Sequence, residues 1–228
     1  MKRAYEAVVS DEVLPALGAH GFTRSQNTFR RARGPLYDVI EFQANWNNGV
    51  TPWYGFFVNV GVGSVDIDQA CPGHRPELHL PEGFLLDRRW EYLVPDAPYE
   101  VRFDLTTDMP AFAARLCANL GLVLGEVQRL RSTRELVEYA VTNNLLIAYE
   151  KTCCYLAATG DIDTLTRYVA RLHDTFGHQD RWEIFSRRIS AVAGPLPVLR
   201  LGTEGMRQLS AESRAEAQSR RASVTAGS

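Results

Sequence analysis

The chain has 228 residues, 45% of them hydrophobic, a formal net charge of -2 and a pI near 6.2. A chain of this length buries roughly 70% of the surface that its unfolded form exposes, so its core requires neither disulfides nor a structural metal. The slight negative charge excludes a surface built throughout to neutralise phosphates and leaves nucleic acid, at most, a local basic patch.

Tyr5, Val8, Val9, Val13 and Leu17 recur at three- and four-residue steps and predict an N-terminal helix, kinked at Pro15 and ended by Gly18 or Gly21. From Thr28 the period changes to two, with Phe29, Arg31 and Arg33 on one side of a short edge strand that stops at Gly34-Pro35. Ile40, Phe42, Ala44 and Trp46 alternate with Glu41, Gln43 and Asn45, the pattern of a strand with one packed and one wet face. Asn48-Gly49 supplies a tight reversal into Phe56, Val58, Val60 and Val62, which predicts an antiparallel hairpin.

The run from Asp66 to Asp96 is rich in Pro and Gly and reads as one long loop anchored by Trp90 and Tyr92. Tyr99, Val101, Phe103 and Leu105 then predict a strand that completes a sheet of about four. After Thr107-Asp108 the pattern is helical: Phe112 to Val127, a helix opened by the Ser132/Glu135 capping box, then Leu145 to Ala158, Ile162 to Phe176 and Arg181 to Val192. The pair around Ala157-Ala158 has a faint tetratricopeptide look, but one unit cannot bury the faces of a repeat array, and an ordinary helical hairpin is the plainer reading. The fold class is therefore α+β: an antiparallel sheet with an N-terminal helix, followed by an all-helical C-terminal half. The expected organisation is an α+β domain over 1–142, a helical extension over 143–200 and a mostly disordered tail over 201–228.

Cys71, Cys117, Cys153 and Cys154 contain no Cys-x-x-Cys and read as reduced thiols, with Cys153 and Cys154 as helix packing, which predicts a cytoplasmic protein. Met1-Lys2-Arg3 begins like a signal peptide, but Glu6, Asp11 and Glu12 interrupt the apolar segment. The uncharged run from Phe42 to Val65 holds too many amides to lie in lipid, so no membrane is expected.

The order helix, Leu17-Gly18, Gly21-Phe22, a basic stretch, Asn27-Thr28-Phe29, Val39-Ile40 with Gln43, then Phe57-Val58-Asn59-Val60-Gly61-Val62 resembles the uncharacterised bacterial family known as domain of unknown function 4304. Cys71, His74, Arg75 and Trp90 stand where that family tends to carry a Cys-His-Arg cluster and a tryptophan, and the resemblance spans about residues 4–140. It implies an α+β domain and supplies no activity and no catalytic residues. The Pro76 to Leu80 stretch departs from the family pattern.

Gln43, Asn45 and Asn59, with Glu41, fall on the polar side of their strands. Lys and Glu are the usual way to solvate a sheet face, so this many amides mark a surface that either hydrogen-bonds a ligand or is covered from within. Arg31, His74, Arg75 and Trp90 complete the ligand-binding candidates. Arg24, Arg30, Arg31 and Arg33, interleaved with Phe22 and Phe29, allow a platform for single-stranded nucleic acid, although a charged edge strand reads the same way. Cys71, His74 and His79 lack a fourth ligand, and Cys71 lacks the setting of an activated nucleophile, so no metal is assigned. No phosphate loop, Gly-x-Ser-x-Gly or His-Glu-x-x-His occurs, and no cofactor is expected. The favoured function is a non-catalytic binding module that takes a protein partner or small ligand on the polar sheet face and the 66–96 loop. The alternative is an enzyme or nucleic-acid-processing protein using the arginines or the Cys71/His74 loop.

Overall fold

The structure is a computed structural model and describes residues 1–70, 84–143 and 145–194. Cys71, His74, Arg75, His79 and the tail over 201–228 lie outside the described residues. The described chain divides into two compact units, one of residues 1–66 and 84–136 and one of residues 67–70 and 137–194.

The first unit opens with a continuous helical segment in three pieces: α1 (Lys2–Val8), a π-helical turn (Val9–Val13) and α2 (Leu14–Gly18). Pro15 has no N–H for the preceding turn, and the widened turn just before it changes the hydrogen-bond register, so the helix runs on to Gly18 instead of breaking. Six strands follow: β1 (Thr23–Ser25), β2 (Thr28–Arg33), β3 (Leu36–Ala44), β4 (Tyr54–Ser64), β5 (Leu86–Arg89) and β6 (Val101–Phe103). The order is β1-β2-β3-β4-β5, all antiparallel, and β6 also pairs with β4. One edge of β4 meets β3 along its length, whereas the other is divided between β6 at Tyr54–Phe56 and β5 at Asn59–Val62.

Several sequence-based expectations need correction here. The β3–β4 connection is a longer loop in which Asn48 holds Gly55 from both sides, donating from Nδ2 to its carbonyl and accepting from its N–H, each at 2.7 Å. The 66–96 run is not one loop: it contains α3 (Val65–Ala70), β5 and a 3-10 turn at Trp90–Tyr92. The strand at 99–105 is only Val101–Phe103, because Asp104 turns the chain by accepting from Thr106 N–H and Thr107 Oγ1 at 2.9 Å, leaving Leu105 88% exposed. Of the two expected anchors Trp90 is buried and Tyr92 is not.

The helical face of the sheet carries an aromatic seam. Phe29–Phe42, Phe42–Phe56, Tyr5–Phe56, Tyr5–Tyr54, Tyr54–Phe103 and Phe103–Phe112 make ring contacts at 5.0–5.6 Å, linking β2 to α4 (Met109–Val127). Such pairs contribute about 0.5–1.5 kcal/mol each beyond their burial. Helix α4 starts at Asp108, whose carboxylate accepts from the Ala111 N–H at 3.1 Å, and it buries Phe112, Leu116, Leu120, Val123, Leu124 and Val127. Among the described residues it alone has the length and hydropathy of a membrane span, and its buried stripe is that of a core helix.

α5 (Thr133–Thr142) begins as expected, with Ser132 Oγ accepting from the Glu135 N–H at 3.2 Å, while the Glu135 carboxylate reaches back to the Arg131 N–H. In the second unit, α6 (Tyr149–Ala158), α7 (Ile162–Phe176) and α8 (Trp182–Ala193) pack as a helical set. Gly160 takes a positive φ (+73°) to end α6, and Asp161 caps α7 by accepting from the Thr164 N–H. Lys151 is 4% exposed and pairs with Asp68 of α3 at 2.6 Å, and Arg188 of α8 donates to Glu150 of α6 at 3.0 Å. Cys117 and Cys153 are free thiols, but Cys154 is disulfide-bonded, so the expectation of reduced thiols throughout does not hold there. Burial raises the pKa of the Cys153 thiol, and the neighbouring Glu150 carboxylate adds to the shift.

Candidate functional site

The pleat of the first unit separates two chemistries. On the helical face Phe29, Arg31 and Arg33 of β2 stand opposite Ile40, Asp38 and Leu36 of β3. Arg31 donates from Nε to Asp38 at 2.7 Å, and Arg33 grips both oxygens of the same carboxylate at 2.7 and 2.9 Å. Arg33 also donates from Nη1 to the carbonyl of Leu130 and from Nη2 to that of Val127, at and just past the end of α4, where the helix dipole favours a cation. Arg31 also lies 4.7 Å over the Phe22 ring. These arginines are held by the core, and Arg30 points to the opposite face from them. Arg24 donates to Ser10 and to the Gln26 carbonyl, so the four arginines do not share one surface.

The outer face carries the amides. Glu41 of β3, Asn59 of β4 and Arg89 of β5 stand in register across three strands. The Asn59 amide donates to Glu41 Oε2 at 3.2 Å and to Gln43 Oε1 at 3.1 Å, so three of the polar positions expected to cluster are hydrogen-bonded together. Gln43 is exposed, and Glu41 and Asn59 are half-buried. Asn45 stands apart: it donates to Glu100 at 2.6 Å and accepts from the Asn47 N–H, which makes it a turn residue. Arg102 donates to Glu100 as well. Burial opposes ionisation of this carboxylate, but the Arg102 and Asn45 bonds outweigh it and hold its pKa below the usual range.

Arg89 is the group that the sequence reading missed. Its guanidinium lies 4.0 Å from the centre of the Phe57 ring and 4.9 Å from that of Tyr99, which fixes its plane. Its Nη1 is buried with no hydrogen-bond partner, a state that costs about 1–3 kcal/mol for a polar group and more for a charged one. Asp87 projects to the same face two residues earlier, and burial, followed by the Glu41 charge, raises its carboxyl pKa. Aromatic rings fill the glycine gaps on this face: Phe84 lies over Gly61 and Tyr37 over Gly63, with the two rings 6.0 Å apart. Trp90, at 1% exposure, uses its indole N–H on the Pro98 carbonyl at 2.7 Å. Among the described residues no three His, Cys, Asp or Glu side chains are grouped as metal ligands.

The segment that builds most of this face is similar to a known family model. Residues 13–89 match the model described as Domain of unknown function (DUF4304). The match covers 77 of the 228 residues. The match begins at the end of the π-helical turn and ends at Arg89, so it takes in α2, β1 to β5 and α3. No curated protein and no solved structure matches the chain.

Proposed function

We propose that this protein is a non-catalytic binding module and that the outer face of its sheet, around Glu41, Gln43, Asn59 and Arg89, is the docking surface. The observation that carries this reading is the Arg89 guanidinium, held flat by two aromatic rings with Nη1 unpartnered, beside a row of carboxylate and amides. A surface that needs only to be solvated gains nothing from a cation immobilised in this way, whereas a binding surface gains a donor whose ordering cost is already met. Because β5 lies within the 66–96 run, that part of the run borders the polar face.

The test compares wild type with the double substitution Gln43→Ser/Asn59→Ser and with Arg89→Gln, by capture of partners from native cell extract and by urea unfolding. Each lost hydrogen bond to a partner weakens binding by about 0.5–1.5 kcal/mol, and more where a partner group is left unpaired. The expected result is loss of the captured species from variants that unfold at nearly the wild-type urea concentration. Unchanged capture by stable variants retires this reading.

A further inference from the structure

A second concave site lies in the first unit, apart from the amide row, between α4 and the chain that leads into β6. Its cavity is about 550 Å³, within the range of small-molecule sites. The floor is apolar: Trp90, Val101, Phe112 and Leu116 are each at most 6% exposed. The Trp90 bond to the Pro98 carbonyl fixes the floor against the wall. Glu100 and Arg102 at the rim hydrogen-bond each other at 2.7 Å and so offer little net charge.

That leaves two charged groups. Arg115 projects from α4 on the face it shares with Phe112 and Asn119, and Asp96 stands on the loop opposite. Both are exposed, and neither has a hydrogen-bond or ion-pair partner among the described residues, including each other. We infer that this cavity binds a small zwitterion with an apolar body, the chemistry of a free α-amino acid with an aromatic or branched side chain. The carboxylate lies against Arg115, with the Asn119 amide beside it, the ammonium group lies against Asp96, and the side chain rests on the floor. A purely apolar ligand leaves both charges unused, and a simple carboxylate leaves Asp96 facing it with like charge.

The probes are L-phenylalanine, its amide and its N-acetyl derivative, titrated calorimetrically into the full chain. The expected result is saturable binding of one phenylalanine per chain. Amidation and acetylation each weaken it about tenfold or more, the size of one lost charge-assisted hydrogen bond. Arg115→Gln removes the discrimination against the amide and Asp96→Asn removes the discrimination against the acetylated form, each leaving the other discrimination in place. Both side chains are exposed and unpaired, so both variants are expected to melt with the wild type, which the same samples show. Three outcomes overturn the assignment: no saturable binding of phenylalanine up to roughly 10 mM, equal binding of the three probes, or variants with wild-type discrimination.

Discussion

On the helix-packed face of β3, Asp38 accepts from both Arg31 and Arg33 and is 1% exposed. Two pleats away, on the outer face, Glu41 reaches only the Asn59 amide among the described residues, and Gln43 is open to solvent. The strands are the same and their period is the same, but the two faces handle charge in opposite ways. The inner cluster carries an excess positive charge and ties it to backbone carbonyls, Arg33 to those of Leu130 and Val127 and Arg31 to that of His20, with Arg31 Nη2 left buried and unpartnered. The outer row shares hydrogen bonds among amides and leaves the Arg89 Nη1 without an acceptor. Each face therefore holds a guanidinium with one unpartnered nitrogen, but the inner arginines share the Asp38 carboxylate, whereas Arg89 lies against aromatic rings with no ion-pair partner among the described residues, and that difference marks the outer face as the candidate site.

The largest effect that tests this contrast is Asp38→Asn. The shape is kept, but two arginines lose their shared counter-charge in a buried setting, and breaking one side of such a cluster costs about 3–5 kcal/mol. Urea unfolding should show a lower midpoint at unchanged slope. Gln43→Ser, on the opposite face of the same strand, should change stability by less than about 0.5 kcal/mol. If Asp38→Asn costs no more than that, the inner cluster does not hold α4 to the sheet and the contrast fails.

Gly61→Ala comes next. A Cβ at Gly61 would stand 2.6 Å from the Phe84 ring, which is 3% exposed and therefore has little room to retreat. Overpacking of this kind costs about 1–3 kcal/mol. Phe84 is the far partner of Tyr37, so the same change should loosen the aromatic cover of the outer face, seen as altered ring resonances of Tyr37 by NMR. A neutral Gly61→Ala would mean that this cover is not packed.

Which parts of this were legible in sequence follows from how many residues carry each signal. The alternation Ile40, Phe42 against Glu41, Gln43 spans enough pleats to identify β3, and its polar half correctly brought Glu41, Gln43 and Asn59 together. β5 has only Leu86 as a buried residue, with Asp87, Arg88 and Arg89 half-buried after it, and a single apolar position has no period. Arg89 was lost with its strand. Tyr99 and Leu105 continue the alternation beyond both ends of β6, but alternation cannot register that Asp104 prefers to bond the backbone two residues on. One overlooked signal was present: Gly55, Gly61 and Gly63 all fall on the outer side of β4, and glycines repeated on one face of a strand leave room for something large. Here it is Glu100, Phe84 and Tyr37.

The smallest effect is also the most specific to the outer face. Burial first, and the Glu41 charge second, raise the Asp87 pKa, so the folded protein holds this proton more tightly than the unfolded chain. The sign follows by linkage: the favourable contribution is complete below the ordinary aspartate value and is lost as pH rises through the raised folded value. Asp87→Asn removes that dependence. Relative to wild type, the variant should gain stability as pH climbs from about 4 towards neutrality, and the gain should then level off. Glu41→Gln should shrink the gain without abolishing it, because burial remains. Urea midpoints at several pH values read both effects. If Asp87→Asn instead loses stability relative to wild type on going to neutral pH, the carboxylate has a cationic partner on this face. Arg89, on the same face, would then be the candidate, and the unpartnered Nη1 on which the proposed docking surface rests would have to be given up.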